Sequence, residues 1–221
     1  GEILRDPRTG EPTGILKETA QDLIRLGDVK KVRSPEEEAD RTWQGYLLAM
    51  KEARELGVTS LQNAGSADFE AYEKLQKEGQ LTSRIDIGRP LTGDTAILEK
   101  YRELAGKYPD NGDWIRFGYL KAFIDGSMGS GTALMFEPYN DEPSTSGLAM
   151  WKYDEFENMV LVADKMGFQI GVHAIGDKGN NWILNAFEKA LQVNGDLEQV
   201  LEVLEPLLLA EHFGTVGVEH R

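Results

Sequence analysis

The chain has 221 residues, 40% of them hydrophobic, and a formal net charge of −14 with a pI near 4.7. Its apolar content suffices for one large core or two small ones, and its acidity argues against a nucleic-acid or anionic-membrane partner, because an acidic surface repels phosphate. There is no cysteine, which excludes disulfides and thiolate metal sites, and no apolar run reaches the length of a membrane span. A small-molecule substrate and a cytoplasmic location are expected, with homo-oligomerisation left open. The chain opens on Gly1 without a methionine and closes on His220-Arg221, which reads as an interior piece of a longer protein.

Residues 1–36 form the first unit. Apolar runs Glu2–Leu4 and Gly14–Leu16 flank DPRTGEP, whose Pro and Gly favour a turn, so a hairpin-like excursion is expected. Ser34-Pro35-Glu36 looks like a helix start; Trp43, Leu47, Met50 and Ala53 then recur at helical spacing until Gly57. Residues 37–221 read as successive βα units. A strand over 57–63 precedes a helix carrying Phe69, Tyr72 and Leu75. A second strand over 84–91 precedes a helix marked by Ile97, Leu98, Tyr101, Leu104 and Ala105. The third, over 114–125, runs into DGSMGSG and a long connection through Pro138 and Pro143, before a helix with Phe156, Met159, Val160 and Ala163. A strand over 167–175 leads to a helix striped by Trp182, Leu184, Phe187 and Leu191, and a further strand is expected near 215–220.

Strands alternating with helices imply an α/β fold with a parallel sheet, either doubly wound or part of a (β/α)8 TIM-type barrel. No Gly-x-Gly-x-x-Gly or P-loop follows a strand, so nucleotide-binding versions lose support. An incomplete barrel segment is the expected fold.

In a barrel, functional groups gather at the C-terminal ends of the strands. Those ends carry Gln62 and Asn63, Arg89, Lys121 with Asp125, and His173 with Asp177. Lys121 lies in an apolar strand, where an amine is costly unless neutralised, paired, or turned outward with its stem on a helix. His173 alone reads first as a hydrogen-bonded core histidine and second as a ligand or base. Together, ending successive strands, the two match a pattern that metal sites and Schiff-base sites both use. Asp125 is placed to touch substrate, with loop capping slightly preferred; Asp177 suits an N-cap at least as well as support of a ligand. The four tryptophans are read mainly as core packing rather than a binding surface.

KAFIDGSMGSGTALMFEPY (121–139) followed by GVHAIGDKGN (171–180) closely resembles the amidohydrolase superfamily, in the branch of N-substituted formamide deformylase and related uncharacterised metal-dependent hydrolases. GEILRDPRTGEPTGILKE and LGVTSLQNAG resemble that branch's excursion and second strand, so the likeness covers essentially residues 1–195. Gly131 departs from it, since many relatives carry an arginine there.

The resemblance implies a distorted (β/α)8 barrel hydrolysing a C–N bond of an amide or formamide with one or two divalent metals, most often zinc. By position, His173 would be the metal ligand ending the fifth strand, and Lys121 would end the fourth, where binuclear members carry a carbamylated lysine. The family's sixth-strand Glu-His pair has two counterparts, Glu211-His212 and Glu219-His220; the β-branched run GTVGVEH favours His220 as the third metal ligand. A sixth strand beyond Arg221 is the remaining alternative. The superfamily's first-strand His-x-His and last-strand aspartate have no counterpart here, so the segment alone is expected to bind metal weakly and be inactive. Two rival readings are a Schiff-base aldolase or lyase built on Lys121 and a non-catalytic barrel fragment.

Overall fold

The computed structural model describes residues 2–25, 34–65, 68–109 and 114–195. The strand expected near 215–220, with His212 and His220, lies outside the described residues.

The chain begins with an antiparallel hairpin, β1 (Glu2–Arg5) and β2 (Pro12–Lys17). Its turn is organised by Asp6, whose Oδ1 accepts the N–H groups of Arg8 and Thr9. A 3₁₀ turn (Glu18–Gln21) and a short helix α1 (Asp22–Arg25) follow. Helix α2 (Pro35–Glu55) starts where local chemistry directs it: the Ser34 hydroxyl accepts the Glu37 N–H, and the Glu37 carboxylate accepts the Ser34 N–H. It stops at Gly57, whose φ of 72° suits a residue without a Cβ.

Four parallel strands then alternate with helices: β3 (Ser60–Asn63), α3 (Phe69–Lys77), β4 (Arg84–Pro90), α4 (Thr95–Lys107), β5 (Ile115–Phe123), α5 (Tyr153–Lys165), β6 (Ile170–His173) and α6 (Asp177–Asn194). The spatial order is β3-β4-β5-β6, each strand beside its predecessor in sequence. A doubly wound sheet reverses this order at its switch point, whereas a barrel keeps it, so the sheet is a partial α/β barrel. Each strand is shorter than its β-rich run in the sequence, β3 at its start, β4 at its end, and β5 and β6 at both ends.

The core lies between this sheet and its helices. Ile85, Ile87, Leu120, Ala122 and Ile124 meet Leu75, Leu98, Phe156 and Val160, all essentially inaccessible. Burying side chains of this size contributes about 1.5–3 kcal/mol each. Helix α6 packs differently from its leucine stripe. Leu184 is half exposed, and the buried face is Ile183, Ala186, Phe187 and Ala190. Small residues bring the backbone of α6 close to its neighbours. Likewise Ile97 of α4 faces out, and only Leu98 of its expected stripe is fully buried.

One irregularity decides which side chains face which way. Ile87 pairs with Phe117, but Arg89 pairs with Leu120, so β5 carries one extra residue between these pairs. Before the bulge Ile115 and Phe117 are buried against the helices; after it Leu120 and Ala122 are. Gly118 and Tyr119 both lie on the other, inner face: a Cβ on Gly118 would sit 3.3 Å from the Asp86 Cβ, and one on Gly171 would press on the Tyr119 ring. Lys121 and Phe123 therefore share the inner face as well.

Candidate active site

Lys121 and His173 come together because β5 and β6 pair in register, Lys121 opposite Gly171 and Phe123 opposite His173. Parallel partners point to the same side, so both side chains project to the inner face at the strands' C-terminal ends. They line one cavity of about 850 Å³, within the size range of small-molecule sites. Its wall also includes Glu18, Leu91, Phe123, Met150 and Trp151.

Lys121 is half-buried, and its Nζ sits 4.8 Å from the centre of the Phe123 ring. Burial holds its pKa below the ordinary 10.5, since removing water disfavours the charged form. No carboxylate among the described residues forms an ion pair with it. The outward, helix-packed placement is thus ruled out by the register.

His173 is fixed by a backbone carbonyl. Its Nε2 lies 3.0 Å from Gly126 O, and because a carbonyl only accepts, Nε2 carries the proton and donates. With Nε2 committed to that carbonyl, Nδ1 is the nitrogen left to offer a lone pair, the arrangement by which proteins orient a metal-binding histidine.

Asp125 lines the same cavity and is held by the loops around it. Its side chain is wholly buried, and its carboxylate accepts the N–H groups of Leu134, Ile175 and Gly176 at 2.8–3.0 Å. It ties the loop after β5 to the loop after β6. His173 Nε2 is 4.0 Å from Asp125 Oδ1, so the carboxylate backs the imidazole from behind. Gly176 is required by this closeness, because a Cβ there would overlap the Leu134 carbonyl. Asp177 is the first helical residue rather than the N-cap, which is Gly176; its Oδ1 accepts the N–H of Phe136 at 2.9 Å and of Lys178 at 2.7 Å. It too fastens the long loop.

Other strand-end residues turn elsewhere. Arg89 lies 4.7 Å over the Phe69 ring on the helix side, where alternation along β4 places it with the buried Ile85 and Ile87, and Asn63 donates to the Tyr72 hydroxyl. Trp43 and Trp182 pack on the core, while Trp114 and Trp151 are more than a third exposed. Gly131 has φ 64°, a conformation that a side chain such as arginine adopts only with strain.

Sequence reasoning placed no function on Glu18, yet the end of the hairpin delivers it into the cavity. Its Oε1 accepts the Thr132 hydroxyl at 2.6 Å, across 114 positions of sequence. A Cβ on Gly126 would collide with both Thr132 and Glu18, so the glycine loop is shaped around this contact. Among the described residues, no group of three or more His, Asp or Glu side chains converges on a point that could hold a metal. Lys121 and His173 fit a metal as part of a donor set: an amine made less basic by burial and an imidazole with one lone pair presented. No described helix is long and apolar enough to cross a membrane.

Residues 1–210 match the model of a family described as "Amidohydrolase family". The chain is 32% identical over 211 residues to Protein LONG AFTER FAR-RED 3 of Arabidopsis thaliana, covering 90% of this chain and 34% of that protein. It is also 32% identical over 210 residues to the putative amidohydrolase YtcJ of Bacillus subtilis, covering 91% and 37%. Among solved structures it resembles an uncharacterised metal-dependent hydrolase from Pyrococcus furiosus, with TM-score 0.59 and 29% identity over 77% of this chain and 34% of that one. The chain therefore spans about a third of the length of these relatives.

Proposed function

Because this chain belongs to the amidohydrolase family, we propose that its four strands are half of a closed (β/α)8 barrel that hydrolyses a C–N bond of an amide or formamide. The observation that carries the reading is the convergence of Lys121 and His173 on one cavity at the C-terminal ends of adjacent strands. In this reading the remaining donors, including His220, and the proton-accepting aspartate come from outside the described residues.

Lys121 has the chemistry to become a carbamate. Its lowered pKa increases the neutral amine, whose nitrogen lone pair forms a bond to the carbon of CO₂ as one proton leaves to solvent. The product is an anionic oxygen donor in place of a cation, which removes the cost of an unpaired ammonium at this half-buried position. His173 contributes Nδ1, with its ring orientation fixed by Gly126 O and its loop held by Asp125. One or two divalent metals, zinc in our reading, would supply carbonyl polarisation and acidification of water. The apolar wall of Leu91, Met150 and Trp151 limits competing water around the scissile group.

The test is metal content and turnover of the full-length protein on N-substituted formamides and simple amides, with Lys121→Met and His173→Ala alongside. Stoichiometric metal with turnover that falls at least about a thousandfold in both variants is expected. Turnover surviving chelation, or borohydride trapping of a carbonyl compound on Lys121 of metal-free protein, would overturn this assignment in favour of Schiff-base chemistry.

A further inference from the structure

We propose that Glu18 is the specificity-determining carboxylate of this cavity and that it binds a cationic nitrogen group on the substrate. The proposal rests on the hydrolase reading above and names the part of the substrate that the hairpin reads.

Four observations converge on it. Glu18 lines the same cavity as Lys121 and His173 although it comes from the opposite end of the described chain. Its φ of 51° is the only left-handed value at a non-glycine among the described residues, strain of a kind that persists where the surroundings fix a side chain for use. Its Oε1 is the terminus of a directed hydroxyl chain. Since a carboxylate only accepts, Thr132 donates to Glu18 at 2.6 Å; Ser130 must then donate to Thr132 at 2.6 Å, and Ser127 to Ser130 at 2.8 Å. Thr132 is itself anchored by accepting the Ser127 N–H at 2.9 Å. The carboxylate is thereby held in one orientation.

The second oxygen, Oε2, has no hydrogen-bond partner among the described residues. Lys17, next in sequence, turns to Glu2 and Glu142 at 3.8 and 3.9 Å instead. The wall that faces a ligand is mostly apolar and includes Trp151, which is more than a third exposed and fixed by its Nε1–H donating to Phe123 O at 3.0 Å. A ligand that displaces water from this cavity leaves Oε2 desolvated and unpaired unless it brings a donor of its own. A cationic nitrogen meets that need, and the Trp151 indole in the same wall offers it an aromatic partner.

The experiment compares two N-benzyl formamides in the metal-loaded full-length protein, one bearing a para-aminomethyl group, cationic at neutral pH, and the other a para-ethyl group. Glu18→Gln keeps an acceptor for Thr132, so the hydroxyl chain and thermal melt should be retained. For the cationic substrate, kcat/KM should fall about tenfold to hundredfold through KM, the range of a lost charge-assisted hydrogen bond, while the neutral substrate changes less than threefold. Equal losses on both, or no loss on either, would overturn the proposal. If wild type hydrolyses neither compound, the hydrolase reading fails separately, and calorimetry with benzylammonium and benzyl alcohol decides about Glu18. A benzylammonium Kd that weakens at least tenfold in Glu18→Gln, with benzyl alcohol unchanged, supports it. No benzylammonium binding to wild type, or identical Kd values in the two proteins, refutes it.

Discussion

The inner face of the sheet carries charge at two heights, and the two are treated oppositely. Low on the strands, Asp86 of β4 and Arg116 of β5 face one another directly in register and pair at 2.7 Å. Higher up, at the strand ends, Lys121 has an aromatic ring and a cavity but no carboxylate partner among the described residues. A charge with its counter-charge supplied by the fold is satisfied before any ligand arrives. A charge held without one has its chemistry still available. The difference separates the part of this half-barrel that holds the sheet together from the part that leaves a charge facing the cavity.

Substitutions sharpen the contrast. The largest effect is expected at Asp125, whose carboxylate ties two loops together: Asp125→Ala leaves three backbone N–H groups, those of Leu134 and Gly176 buried and that of Ile175 part-buried, without an acceptor. A loss of about 3–5 kcal/mol in urea unfolding is expected, and a loss below about 1 kcal/mol would move Asp125 out of the scaffold. Arg116→Met comes next. It removes the partner of a nearly buried carboxylate, but Arg116 is itself a third exposed, which discounts the cost to about 1–3 kcal/mol in the same measurement.

Lys121→Met is expected to have the smallest effect on stability, within about 1 kcal/mol, because the stem is kept and an unpaired amine is lost. Its signature is in the pH dependence. With its folded pKa below 10.5, Lys121 binds fewer protons folded than unfolded in the alkaline window beneath that value, so stability contributed by this site rises as pH increases there. In metal-free, CO₂-free buffer, wild type should therefore gain stability relative to Lys121→Met as pH rises toward 10.5. An unchanging difference would show that burial does not perturb this amine.

Much of this arrangement was legible in the sequence. Each described barrel strand falls inside a β-rich run, and Lys121 and His173 stand out as polar groups near the ends of apolar ones. Arg89 also stands near a strand end but differs, because it is in phase with the buried Ile85 and Ile87 of β4 and so faces the helices. The helix stripes differ from the structure at Ile97, which faces out, and at Leu184, where Ala186 and Ala190 are buried instead, since hydrophobicity marks residues that favour burial without fixing how closely a helix approaches. Glu18 had no local signal at all. Its partner Thr132 lies 114 positions away, and no period of 2 or 3.6 reports what a hairpin folds across.

The bulge in β5 has a consequence for how such a site arises. Strand alternation is a parity rule, and inserting one residue inverts the parity of everything downstream. Without the extra residue, Lys121 and Phe123 would continue the series of Ile115 and Phe117 and be driven among the helices, while Leu120 and Ala122 would line the cavity. The topology and the strand order would be the same, but the amine would lie on the wrong side of the sheet. A single-residue insertion or deletion in a strand thus carries a whole series of side chains across the sheet, which a substitution at one position does not.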